Sequence, residues 1–457
     1  MAATLATLTL VAVSAGATLP AVPPTAARLL AAAPGRRDAP YDALEDLRLP
    51  NGVRVILCHV PMAPVTVMSS YHVGSIQDPE GRSGLAHVAS HLGFRAAESL
   101  PPAGRDAALS RAHSLENSRG MDWEWTEFWT TLPGAGLEVG VALEAYRLAA
   151  LARPLSSRIF EEERDVVIRE RKHGFDGVLQ DALDEEALAA LFPPAHPYNR
   201  PTTGTVEDIR RLRLDDAEAF VRTWFRAPNL TLTIVGNFVP RDARALVERS
   251  FQDFPGGAAP PRDPVPVLNS ATVRGPIIST AQGSTTRVNV AWLVPSLFDV
   301  GDAEAELVGW MLTSRLARRR SAERLTGTIA HLALPAQGVL LATITGPAGV
   351  DPAKLLTWLD GAVSDLADNP PPPPELRRAL GQIEANFAVS YDGQAGQAEW
   401  GRILRDYSGN FGRVDRLAWD LQRYRGVIPE DISRFVTENL TSGNRSVVFA
   451  PAESGTR

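Results

Sequence analysis

The first regular pattern begins at Leu49, where LPNGVRVILCHV sets an Asn-Gly pair ahead of alternating Val53, Val55 and Leu57. Alternation with a period of two marks a half-buried strand, and Asn-Gly is a strong short signal for a tight hairpin turn. A second strand follows in PVTVMSSYHV, then the polar loop GSIQDPEGRSG. The next run, GLAHVASHLGF over 84–94, predicts a helix. Further helices are expected over 102–118, 134–152, 156–175 and 240–252, and strands in TEFWTTLP and in LTLTIVGNF over 230–238.

Near the middle, between about 253 and 276, the chain turns to FPGGAAPPRDPVPVLNSATVRGP, a Pro/Gly-rich stretch that suits a domain boundary. The pattern then restarts. TTRVNVAWLVPSLFDVGDAEAELVGWML repeats the order strand, acidic loop, helix seen in VTVMSSYHVGSIQDPEGRSGLAHVASHL. Two related α+β halves are therefore expected. The boundaries read as a leader and linker over 1–40, a first domain over 41–255, a linker over 256–276 and a second domain over 277–453. DNPPPPPEL at 368–376 reads as a stiff loop feeding a helix, with a proline-rich ligand for a partner as the alternative.

Composition narrows the classes. A chain of 457 residues, 44% hydrophobic and 22% charged, matches a globular protein with more than one core. A net charge of −7 and the lack of a basic stripe give no case for nucleic acid. A single cysteine, Cys58, excludes an internal disulfide framework and a Cys-based zinc ribbon. The first residues, MAATLATLTLVAVSAGATLPAVPP, have an apolar stretch and small residues at Ala15–Ala17 but no basic start. They read as a secretory signal, which would make the protein periplasmic or secreted, or as an Ala-rich leader on a cytoplasmic one. No other segment reaches the roughly 20 apolar residues of a membrane span.

The chemistry concentrates in the helix at 84–94. His87 and His91 lie four apart, so both imidazoles fall on one helical face and can share one zinc ion. The equivalent helix of the second half has no such pair. A second wall is offered by FEEERDVVIRERKHG over 160–174, where Glu163 and Glu170 are two turns apart. A histidine pair followed about 80 residues later by E-R-x-V-V-x-x-E resembles the pitrilysin/insulinase metallopeptidases, the inverzincins. LPNGVRVIL, VGSIQDPEGRSGLAH, LEAYRLAAL, HPYNRPTTGTVEDIRRL and NLTLTIVGNF are similar to landmarks of that family, in order. ELVGWMLTSRL and VIPEDISRFVTENLTSGNRSVVF extend the resemblance, which covers roughly residues 45–450. The length suits the short branch that includes mitochondrial processing peptidase.

The resemblance implies an α+β fold of two pitrilysin-like domains, each a mostly antiparallel sheet packed against helices. It implies zinc held by His87, His91 and Glu170, with Glu163 supporting a histidine. It also places the general base at the position of Ser90. Zinc would activate water there, and the base would take its proton and pass one to the leaving amine. A serine cannot do that unaided, and the loss of such a group costs about 10²–10⁴ in rate. Glu163 or Glu98 would have to substitute. Zinc could still bind without being used, or the site could be vestigial.

Other departures point the same way. Active relatives carry Asn-Ala-Phe-Thr on a substrate-holding edge strand, where this chain reads NSRGMDWEWTEFW, and only Glu124, Thr126 and Phe128 match the later part. An Arg/Tyr pair that grips substrate falls on Ser321 and Thr328, and the neighbouring Arg318–Arg320 run reads as an acidic-peptide contact or a solvated basic face. The expected function is a catalytically impaired subunit of a heterodimeric zinc peptidase, closing a chamber around unfolded peptide with an active H-x-x-E-H partner. The alternatives are an assembly protein like the core subunits of respiratory complexes, or an active endopeptidase with an unusual base.

Overall fold

The hairpin announced by Asn-Gly forms the edge of the first sheet. Strand β1 (Ala43–Arg48) pairs antiparallel with β2 (Arg54–His59), Arg48 opposite Arg54. Gly52 takes φ 95°, a left-handed value that suits glycine. The Asn51 side chain donates to the carbonyls of Phe251 and Phe254 at 2.7 and 3.1 Å, tying the turn to the far end of the same domain. The structure, a computed structural model, describes residues 41–452 apart from 173–178, 273–274, 282, 320, 322 and 392–396. The leader segment therefore lies outside the described residues. Among those described, no helix is long and apolar enough to cross a membrane.

Beside the hairpin lie β3 (Val65–Tyr71), β4 (Glu116–Met121), β5 (Thr126–Leu132) and β6 (Leu230–Gly236), in the order β1-β2-β6-β3-β5-β4. All neighbours are antiparallel except β2 and β6. The second sheet has β7 (Pro276–Ile278), β8 (Thr285–Val294), β9 (Thr326–Leu332), β10 (Gly338–Pro347) and β11 (Arg445–Ala450), in the order β7-β11-β8-β10-β9. Only β7 and β11 run parallel there. The chain is thus an α+β protein of two sheets packed against helices.

The repeat seen in the sequence has a backbone counterpart. The helix Leu85–Ala96 follows β3, and the helix Asp302–Arg318 follows β8. Each starts from a left-handed glycine, Gly84 at φ 92° and Gly301 at φ 98°. Matching the two glycines sets His87 against half-buried Glu304, Ser90 against Leu307 and His91 against Val308, so the second copy buries valine where the first buries the His91 imidazole.

Each sheet has one face on its own helices. Val55, Val67, Tyr71, Leu92, Phe128 and Leu232 form the first core, and Val290, Trp292, Leu307, Leu340, Leu359 and Ile432 the second. The opposite faces are covered by exchange. The helix Leu179–Leu191 of the first half lays Leu183, Ala187 and Leu188 against Ala291, Leu293 and Val339 of the second sheet. The helix Gln397–Phe411 of the second half lays Trp400, Leu404 and Tyr407 against Ile56, Cys58 and Val235 of the first. Half-buried Arg402 and buried Arg405 of that helix pair with buried Glu127 of β5, the first at 2.7 Å. Burial pushes the Cys58 thiol up to about 12, against a hydrogen bond from Trp400, so it stays neutral.

Two expectations are corrected. Alternation at Val53, Val55 and Leu57 implied one wet face for β2, but Ile56 and Cys58 are fully buried as well, because the exchanged helix covers them. The helix expected over 102–118 is only Arg105–Arg111, and Glu116 already belongs to β4. Pairing with β5 overrides the weak strand propensity of ENSRGM.

Trp400 is the largest side chain of the exchanged helix and is completely buried. Trp400→Ala is expected to cost about 3–5 kcal/mol, measured by urea unfolding. The two sheets should still melt together, and two separated transitions would show that the halves are independent.

Candidate metal centre

The histidine helix is held at its start by a carboxylate. Asp78 accepts hydrogen bonds from the backbone N–H groups of Gly84 and Ala86, both at 2.7 Å. A negative group at this end also complements the helix dipole. At the other end, Arg147 of the helix Leu137–Leu151 donates to the Gly93 carbonyl at 2.7 Å. Arg147 is fully buried, paired with Glu144 at 3.0 Å and stacked 4.3 Å over Phe128. The helix is therefore fixed along its length against the sheet.

On its buried face, the His87 and His91 Nε2 atoms are 3.2 Å apart. The helix Ser157–Glu170 passes beside it, its start capped by the Ser156 hydroxyl, and brings Glu170 to the pair. Glu170 Oε2 lies 3.4 Å from His87 Nε2 and 3.2 Å from His91 Nε2. Tetrahedral zinc with bonds of about 2.0–2.1 Å separates its ligands by roughly 3.3 Å, so donor types and spacing both suit that ion. Two turns earlier, Glu163 Oε2 is 2.9 Å from His91 Nδ1. A carboxylate on the far ring nitrogen fixes the tautomer and leaves Nε2 with a free lone pair. Burial lowers His87 to about 4, despite the Glu170 carboxylate, so its ring is neutral. Burial alone would raise Glu170, but the imidazoles of His87 and His91 beside it outweigh that and hold the carboxyl well below its usual range.

Ser90 is completely buried and its hydroxyl donates to the His87 carbonyl at 2.8 Å, a bond within its own helix. Among the described residues, the Ser90 hydroxyl makes no hydrogen bond to a carboxylate. Glu163 spends its oxygens on His91 and Arg95. Glu98 is a partly exposed helix-end charge, 3.1 Å from Arg95 and outside the cluster.

The residue that sequence reasoning missed is Arg119. It stands on β4 opposite Phe128, and its guanidinium turns into the cluster with Nη2 2.6 Å from His91 Nε2. Nη2 is also 3.9 Å from Glu170 Oε1, and Nη1 is 3.5 Å from Ser90 Oγ. Burial pulls this guanidinium down from its ordinary value while Glu170 and Glu163 push it back, and arginine stays charged in proteins. The available signal was a cation in NSRGM where active relatives place phenylalanine. The ligand set suits zinc, but as the side chains stand Arg119 claims a lone pair that the metal would need.

The other singled-out residues serve the fold. Glu124 is buried between His72 and Tyr198, Thr126 donates to the Val73 carbonyl at 2.8 Å, and Phe128 lies in the core. Ser321 bonds Glu323 at 3.1 Å, and Thr328 sits on edge strand β9 opposite Thr343. Arg318 pairs with Glu375 at 3.3 Å, while Arg320 lies outside the described residues.

Comparison with known proteins bears on the fold and the relatives of the chain. Residues 211–329 match the family model described as the Peptidase M16 inactive domain. A crystal structure of a protease from Helicobacter pylori superposes with a TM-score of 0.78 at 19% identity, covering 89% of this chain and 99% of that one. The mitochondrial-processing peptidase subunit beta of Lentinula edodes is 23% identical over 376 residues, 77% of this chain and 78% of that protein. Over part of its length the chain is thus similar to M16 peptidases, and its fold is theirs. A third relative, the zinc protease PqqE of Helicobacter pylori, is 26% identical over 218 residues, and the match spans 47% of its length. Ser90 and Arg119 face each other in one cluster, 3.5 Å apart.

Ser90→Ala removes a bond inside the helix and the long 3.5 Å contact from Arg119. It is expected to change stability by less than about 1 kcal/mol, read from thermal melts. A larger loss would show that the hydroxyl holds the cluster itself.

Proposed function

We propose that this chain is a catalytically impaired subunit of a two-chain M16 peptidase. It would form part of the chamber and peptide-binding surface with a partner that carries an intact H-x-x-E-H helix. The observation that supports this is Ser90, buried at the base position with its hydroxyl turned to the His87 carbonyl. A metal-bound water at that point would have no group to take its proton, nor any to protonate the leaving amine. Were zinc bound, His87, His91 and Glu170 would be its ligands and Glu163 would orient His91.

A role in holding peptide remains available. Strand β4 ends the first sheet, so one side of its backbone is unpaired within that sheet. An extended, unfolded peptide can add there as a further strand, binding through main-chain hydrogen bonds that do not depend on sequence. Where the protein works is tied to residues 1–20. Removal of that segment in the mature chain, read by N-terminal sequencing, would support the periplasmic or secreted reading.

The purified, zinc-supplemented chain alone is expected to show no chelator-sensitive cleavage of an unstructured peptide pool. Mixed with an H-x-x-E-H partner it should support cleavage beyond that of the partner alone. Robust chelator-sensitive turnover by the single chain would overturn the proposal. Ser90→Glu alone should also stay inactive, because the new carboxylate would meet Arg119 and pair with it.

A further inference from the structure

We infer that Arg119 is a built-in cation that takes the place of the metal, so that the His87–His91–Glu170 cluster is a guanidinium site in the native protein.

Hydrogen-bond chemistry carries the first step. A guanidinium has five N–H donors and no acceptor, so the 2.6 Å contact from Arg119 Nη2 requires His91 Nε2 to be unprotonated. The ring proton then sits on Nδ1 and points to Glu163 Oε2 at 2.9 Å. That tautomer is also the one a metal ligand needs. A neutral imidazole offers a single lone pair, and here it is spent on arginine.

Charge carries the second. Glu163 and Glu170 bring two largely buried carboxylates to two histidines, and such a group needs positive charge beside it. Arg95 reaches Glu163 at 3.4 Å, on the side away from His87. Arg119 supplies charge on the metal side, 3.9 Å from Glu170 Oε1.

Space and register carry the third. The turn between β4 and β5 is closed by Asp122, whose side chain accepts from the N–H groups of Glu124 and Trp125 at 2.7 Å. That turn sets Arg119 opposite Phe128, a core residue, and so directs its side chain toward the histidine helix. A serine at position 90 is much shorter than a glutamate, and Arg119 Nη1 approaches it to 3.5 Å. The residue that removed the base has also left room for the arginine. To bind, a zinc ion must expel the guanidinium from its partners and then tolerate its charge close by. The inference concerns metal occupancy and stands apart from the subunit reading, because a chain that lacks a base can still hold zinc.

The test is zinc binding by the intact chain, with no activity measured. Wild type, Arg119→Ala, Arg119→Gln and the double variant Arg119→Ala/His91→Ala would be dialysed against zinc and analysed for metal. Affinities would come from competition with a chromophoric chelator, and folding from circular dichroism. Removing the guanidinium should raise zinc affinity by at least about 10- to 100-fold, the range by which groups beside a metal site change it. Arg119→Ala and Arg119→Gln should then hold one zinc per chain and gain thermal stability with it, while wild type does neither. The double variant should lose the gain, which locates the ion at the cluster. Wild type that binds one zinc as tightly as Arg119→Ala would overturn the inference. So would folded Arg119→Ala and Arg119→Gln proteins that take up no more zinc than wild type.

Discussion

Ile56 and Cys58 on β2, like Ala291 and Leu293 on β8, are apolar residues on the sheet faces that their own domains' helices leave bare, and helices lent by the opposite half bury them. Everything downstream rests on this exchange. A sheet hydrophobic on both faces must be sandwiched, as in layered α/β folds. Here that demand joins the two halves through the helices Leu179–Leu191 and Gln397–Phe411. The second of these also places Arg402 and Arg405 on Glu127, a buried residue of β5. Burial alone would raise Glu127, but the two arginines outweigh it and hold the carboxyl at about 2. Strand β5 is thereby pinned from behind, and β4 inherits its register. The position of Arg119 thus depends on contacts made by residues almost three hundred positions later in the chain.

The cluster on the other face follows a different rule. Buried carboxylates and imidazoles persist only where their charges and lone pairs are answered. His91 is answered on both nitrogens, by Glu163 and by Arg119. Glu170 lies within reach of both histidines, with Arg119 as the nearest guanidinium. Ser90 answers itself within its helix. A zinc ion and a guanidinium are alternative solutions to one electrostatic problem, and the residues around them need not change when one replaces the other. On the guanidinium reading, a cluster of metal-ligand type can persist beside a serine at position 90.

Local patterns in the sequence were legible where local physics decided the outcome. The Asn-Gly hairpin, the helical spacing of His87 and His91, and the two-turn spacing of Glu163 and Glu170 depend on the backbone within a few residues. The structure brings those four side chains together, and Ser90 stood out because the family resemblance implies the general base at that position. What escaped was set by register and by distant segments. Nothing within ENSRGM shows that Arg119 lies opposite Phe128, since that follows from the Asp122 turn and from pairing with β5. Nor does the alternation of β2 reveal that its outer face is dry, because Trp400 arrives from the other half. The helix expected through residue 118 failed for the same reason: strand pairing claimed residues whose local preference was weak.

The edge strand links the two consequences of Ser90. Arg119 has its side chain turned inward, while the backbone of β4 lies at the end of the sheet. A peptide that adds to β4 would use that backbone, and the arginine beneath it would stiffen the strand rather than compete for the ligand. A cleavage centre must bring an activated water to the carbonyl of such a peptide. A guanidinium in the same place cannot activate water as a metal does, yet it preserves the charge that keeps Glu170 and the histidines in position. Under the proposed function, serine at position 90 and arginine at position 119 would favour one outcome, a surface that can hold extended peptide without cutting it.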